Sequence, residues 1–403
     1  MPIARGKASG SSMIPLEEPA GSGRVAPSLR AFLELGFRPL YLGGAAWALI
    51  AVAIWVWAPQ ILTGPLGSVA WHAHEMLWGF IATIAVGFLM TAGANWTGIN
   101  PLKDRSLAVA CVLWLVARVA FLAAGDTSFW TGVAAELGFF LLAALAMMRS
   151  VYSAKNARNY AVPWLLVALA VADGLYLLAA HDGDYPLLLE RFNIGLLVMA
   201  LIALLIGRRV IPFFAMRAVA GLQIPMQTRI GQAQLATCGI AAACLLAGQK
   251  LPAAVALGLT GALSLLQVLR WKPWAVRAKP LLWILYVGYA GLGIGLLLAA
   301  CAAAGLSMPR ALPVHTIAMA GFSILIIGMV TRTALGHLGR PLATDRSMVA
   351  SYVLVLLAVA LRLAALAPSA YSVAALHLSA VAWIAAFALY LWRFAPLMIR
   401  PRG

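Results

Sequence analysis

The sequence predicts an all-α polytopic membrane protein, a bundle of about twelve transmembrane helices. Three observations carry that expectation. Of 403 residues, 64% are hydrophobic and 10% charged, outside the range of soluble domains. Apolar segments of about 20 residues, the length needed to cross a bilayer, follow one another along the chain. The connections between them are short and hold Gly, Pro or Asn, as in Ala124-Gly125-Asp126 and His181-Asp182-Gly183-Asp184.

In chain order, residues 1–36 are rich in Gly, Ser, Pro and Ala with scattered Arg5, Lys7, Arg24 and Arg30, a composition that reads as a disordered cytoplasmic tail. No continuous apolar stretch there precedes a small-residue cleavage site, so a removable signal peptide is not expected. The twelve-span domain then occupies 37–403. Its spans fall at roughly 40–58, 70–93, 106–124, 129–148, 161–180, 187–207, 230–249, 252–270, 280–304, 312–334, 348–367 and 371–394. No soluble domain interrupts them.

Loop charge sets the expected orientation. With the N-terminus inside, the inner segments hold nearly all basic residues, among them Arg38, Lys103, Arg149, Arg208, Arg209, Arg277, Arg332, Arg340 and Arg393. The outer loops hold only Lys250 and Arg310. Both termini are therefore expected in the cytoplasm, with the chain in a bacterial inner membrane. The formal charge of +17 is dispersed in this way through short loops, which argues against nucleic acid as a partner. The cysteines, Cys111, Cys238, Cys244 and Cys301, lie singly in apolar stretches and read as small buried hydrophobes. The glycines of the ninth span include one small-xxx-small spacing, Gly291 to Gly295, whose ordinary meaning is close helix packing.

Function is carried by polar groups that lipid would otherwise select against. Trp71-His72-Ala73-His74-Glu75-Met76 opens the second span. His72 and His74 diverge by about 200° on a helix, so they cannot ligate one metal unless the helix start unwinds. His315 begins the tenth span, and His377 lies about 9 Å along the twelfth from Tyr371. Three distant segments thus place histidines in one outer third, and His72 (or His74), His315 and His377 are expected to converge on metal. Glu75, one turn from His72, is expected to orient an imidazole or carry protons. Arg118, Glu136, Asp173, Glu190, Arg191 and Arg362 are further charges in the spans, and paired charges fixing helix packing is their plain account. Arg118 is the better binding candidate, since a cofactor carboxylate or an anion would favour a guanidinium there. His337, about 33 Å along a helix from His315, belongs with Arg332 to an inner-face feature: a second site, a quinone or anion contact, or a solvated loop.

These residues resemble the NnrS family of polytopic bacterial inner-membrane proteins over almost everything after residue 36. The resemblance rests on Phe37-Arg38-Pro39, on Trp71-His72-Ala73-His74-Glu75-Met76 and on Gly93-Ala94-Asn95-Trp96-Thr97-Gly98. It continues through Arg209-Val210-Ile211-Pro212-Phe213, Gly328-Met329-Val330-Thr331-Arg332 through His337-Leu338-Gly339-Arg340-Pro341, and Arg393-Phe394-Ala395-Pro396. It departs at Ala215-Met216-Arg217-Ala218, where a polar run is usual. The resemblance implies haem (b-type) and copper as cofactors, and a role in the response to nitric oxide in denitrifying and nitrosatively stressed bacteria. It leaves His72, His74, His315, His377 and His337 as candidate ligands without dividing them between haem and copper. Twelve spans with histidines at this depth are also similar to the haem–copper oxidase architecture, an analogy of fold alone.

Three function classes arise from the residues and the resemblance. The first is a haem- and copper-binding protein protecting against nitric oxide. The second is an oxidoreductase moving electrons from quinol to nitric oxide or oxygen. The third is a transporter whose intramembrane charges line a substrate path.

Overall fold

A chain that can solvate no backbone group in lipid must satisfy every one internally, and this one does so with helices. The computed structural model describes residues 26–402, and all regular structure among them is helical. Twelve long helices run in order: α1 Phe37–Trp57, α2 Val69–Thr97, α3 Asp104–Ala120, α4 Asp126–Ser153, α5 Ala161–His181, α6 Tyr185–Ala218, α7 Thr228–Leu246, α8 Lys250–Arg270, α9 Pro280–Ala303, α10 Ala311–His337, α11 Arg346–Ala364 and α12 Ser372–Met398. Ten of them are long and apolar enough to cross a membrane. The other two, α3 with 17 residues and α7 with 19, complete the series at the positions of the third and seventh expected spans.

Several helices overrun the expected bounds, because hydropathy registers the hydrocarbon slab and not the helix ends. The 34 residues of α6 reach about 50 Å at 1.5 Å each, well past a ~30 Å core. Large aliphatic side chains such as Val112, Leu115, Leu141, Leu259 and Val353 lie exposed along the middle of their helices, an outer surface suited to lipid.

Of the tail expected over 1–36, residues 1–25 lie outside the described residues. Beyond them the chain is not an open tail: Leu29–Phe32 forms a helical turn capped by the Ser28 hydroxyl. The reason is docking against the other end of the chain. Ser28 N–H donates to Ile399 O at 2.8 Å, and the buried Arg38 guanidinium donates to Met398 O and Arg400 O at 3.0 and 2.5 Å. A guanidinium at the carbonyl end of α12 complements that helix's dipole. The Phe37-Arg38-Pro39 stretch thus clasps α1 to α12 and closes the bundle.

Two helices depart from α geometry at the same place in their course. In α2 residues Glu75–Ala82, and in α10 residues Thr316–Ser323, are π-helical. Each widened segment is followed or ended by a hydroxyl that donates to the carbonyl five residues back, Thr83 to Trp78 O and Ser323 to Ala318 O. The two π segments lie against each other. Such segments are uncommon and cluster at functional sites.

Glycines bring α9 against the π segment of α10. A Cβ on Gly291 would strike the Ala320 carbonyl, and one on Gly295 would come within 2.8 Å of Ile317 N. Gly291→Ala therefore forces α9 off α10 and should destabilise by about 1–3 kcal/mol, the usual cost of overpacking. Thermal unfolding in detergent measures it, and an unchanged midpoint would show that the two helices can part freely.

A histidine-lined cavity beside a buried ion network

The opening turn of α2 divides its polar side chains between two sites on opposite faces. His74 and Glu75 turn into the packing of α1, α3, α4 and α5, where every member of an ion network is inaccessible to solvent. His74 Nδ1 lies 3.0 Å from Glu75 Oε1, and its Nε2 lies 3.0 Å from Asp173 Oδ1. Trp47 Nε1 donates to Glu75 Oε2 at 2.5 Å, and Arg118 bridges the carboxylates of Glu75 and Glu136. The imidazole sits among Trp78, Phe121 and Tyr176, with ring centroids 5.4, 4.9 and 6.0 Å away. Gly79 makes the close approach possible: any Cβ there would strike the Arg118 guanidinium and come within 3.0 Å of Trp47 Nε1.

His72 faces the other way, into a cavity of about 280 Å³ bounded by α1, α2, α6, α10, α11 and α12. This is near the lower end of small-molecule pockets, roughly 300–1,000 Å³. Its wall is almost wholly apolar, and His315 lines it too. Trp55 stacks on the His72 ring at 4.8 Å with planes 14° apart, which fixes the ring's orientation. The buried Nδ1 of His72 has no hydrogen-bond partner among the described residues. His315 Nδ1 lies 2.8 Å from Ala311 O, and a carbonyl can only accept, so Nδ1 carries the proton and Nε2 keeps its lone pair. The two π segments supply Met76, Phe80, Ile81, Ala318 and Met319 to the same wall. Arg310 and Arg362 complete it, and neither forms an ion pair among the described residues.

Of the three histidines expected to converge, His72 (or His74), His315 and His377, the structure places His72 and His315 on one cavity wall. His74 belongs to the ion network because it lies across α2 from His72. His377 is held at the surface by Trp57, whose Nε1 donates to its Nδ1 at 3.2 Å. On α12 it is Leu376, Ser379, Ala380 and Trp383 that face the cavity, one helical stripe away from His377. The expectation that Arg118 awaits an anion is also corrected, since Glu75 and Glu136 already neutralise it. Glu75 contacts His74, Trp47 and Arg118, and is not seen to orient His72. At the far end of α10, Arg332 lies over the Phe214 ring at 4.0 Å and His337 packs on Phe37 at 5.4 Å. Both are remote from the cavity, about 26 and 33 Å along the helix from His315.

Two donor sets can be weighed as metal sites. His74, Glu136 and Asp173 each offer an atom within 4.8 Å of the others. There, both imidazole nitrogens already meet carboxylates and the Arg118 guanidinium occupies the cation's role, while Glu136 Oε1, Asp173 Oδ2 and Arg118 Nε have no hydrogen-bond partner among the described residues, so the cluster is an ion network with its histidine fully engaged. The cavity set is open: an unpartnered imidazole nitrogen on His72, a lone pair on His315 Nε2 and the thioethers of Met76 and Met319. Imidazole suits haem iron and copper, and thioether suits Cu(I). Guanidiniums at Arg310 and Arg362 suit the carboxylates of a bound cofactor. Sequence reasoning assigned Arg310 only to loop charge and missed Trp55, Met76 and Met319, since apolar residues in spans carry no local signal.

Arg118→Leu leaves two buried carboxylates uncompensated and should destabilise by about 3–5 kcal/mol. Adding Glu136→Gln should recover part of that loss in detergent melts. If Arg118→Leu instead melts like the parent but loses bound cofactor, the residue holds a ligand and not the fold.

The family model described as NnrS protein matches residues 31–402, nearly the whole chain. A comparison with curated proteins gave no match.

Proposed function

The chain belongs to the NnrS family, and from that premise we propose that it binds haem and copper in a bacterial inner membrane and protects against nitric oxide and nitrosative stress in a denitrification-type metabolism. The observation that carries the reading is the pair of imidazoles, His72 from α2 and His315 from α10, on the wall of one apolar cavity.

The donor chemistry of the residues there fits such a group, and the cavity of about 280 Å³ has to widen to admit a whole haem. The Ala311 carbonyl fixes the His315 tautomer and leaves Nε2 as the ligand atom, the support that metal-bound imidazoles ordinarily need. Trp55 holds the plane of His72, whose Nδ1 lacks a protein partner. Arg310 and Arg362 would hold cofactor carboxylates, and Met76 and Met319 would offer soft donors to copper. Haem iron or copper, when bound, supplies a coordination position at which nitric oxide can be held. The apolar wall keeps water from competing for that position.

Removing a ligand should cut metal occupancy by at least about tenfold, the lower end of what loss of a mere supporting hydrogen bond costs. His72→Ala and His315→Ala, purified and examined by visible spectrum and metal analysis, should therefore lose haem or copper. His377→Ala and His337→Ala should keep both, because neither residue lines the cavity. Full haem and copper content in the His72→Ala/His315→Ala double variant would sink the assignment.

The same reading puts both termini in the cytoplasm, on the concentration of basic residues in alternate loops. An alkaline phosphatase fused after residue 403 should be inactive. Strong activity would invert the bundle and put the histidine cavity at the cytoplasmic face.

A further inference from the structure

A second cavity, of about 90 Å³, lies between α1, α2, α6 and α10. Of its lining side chains only Tyr41 carries a hydroxyl, which is buried and has Thr333 beside it. Water needs two to four polar partners to stay in such a space, so an apolar cavity of this kind stays dry and takes apolar guests. Its volume is far below the ~300 Å³ at which drug-sized ligands begin to fit, which excludes a ring head group or a coiled lipid chain. Ala85, Phe88 and Ala203 on its rim are half-buried, so the cavity opens sideways on the lipid-facing surface. At its other end Ile81, only 2% exposed, is a wall shared with the histidine cavity.

We propose that this side cavity binds small apolar gas molecules taken from the bilayer and passes them by Ile81 to the histidine cavity. The delivery half rests on the function proposed above; the binding half does not. Small apolar gases dissolve better in hydrocarbon than in water, for the reason that apolar surface in general leaves water. A lateral apolar opening therefore draws on the compartment in which such molecules are concentrated. Ile81 stands in the π segment of α2, and the Phe322 wall belongs to the π segment of α10, so both widened helices border both cavities.

Crystals of the full chain pressurised with xenon should show the atom against Ile84, Phe88, Met199 and Phe322, and Ala203→Phe should abolish it. Absence of xenon there in the parent overturns the binding site. For delivery, carbon monoxide is flashed off the purified protein and its bimolecular rebinding timed. Ala203→Phe should slow rebinding by about tenfold, with Ala85→Phe giving the same test from the opposite wall if the first variant fails to fold. Ile81→Ala should speed it. Rebinding unchanged in the filled variants overturns delivery and leaves the cavity a blind pocket. Protein that carries no metal overturns the proposed function and delivery together, while xenon occupancy still decides the cavity.

Discussion

Glu75 is the residue on which the arrangement of the bundle turns. Its carboxylate takes Trp47 from α1, His74 from its own helix and Arg118 from α3, and Arg118 passes the connection to Glu136 on α4 while His74 passes it to Asp173 on α5. A carboxylate buried in lipid without such partners would cost several kcal/mol. Five helices are thereby held at one level by charge, in a medium where hydrophobic attraction between helices is weak.

The consequence for chemistry is indirect. With His74 and Glu75 fixed on one side of α2, His72 on the other side has one direction to face, and that direction is the cavity. The π turns begin at Glu75 and, on α10, directly after His315. A widened turn shifts the register of the residues beyond it, so each helix can present its histidine above the turn and large apolar side chains below it. The network engages both nitrogens of His74, whereas in the cavity His72 Nδ1 has no hydrogen-bond partner among the described residues.

The separation of the two polar sets also leaves the cavity wall largely apolar. The buried carboxylates Glu75, Glu136 and Asp173 are engaged in the network and none reaches the cavity wall. The polar and soft groups that remain on the cavity wall include two imidazoles, two thioethers and two arginines, the donor types that the proposed metal and cofactor carboxylates would need. The glycines of α9 let it press on the π segment of α10, which begins directly after His315.

By itself the sequence determined the class of the molecule, the twelve helices, the order of loops and the polar residues worth examining, because hydropathy over 20 residues and the cost of a buried charge are local quantities. It also carried the family, through motifs spread from Phe37 to Pro396. Depth along a helix was legible, so histidines of the second, tenth and twelfth spans could be placed in one layer. Which way each faces within that layer was not. A rotation of one residue is 100°, and it separates His377 from the Leu376 and Ala380 stripe that lines the cavity. That rotation is set by contacts between helices hundreds of residues apart, such as Trp57 with His377, and by π turns whose register no periodicity announces. The tertiary structure alone therefore decided that Arg118 is neutralised, that His74 belongs to the ion network, and that His72 and His315 share a wall.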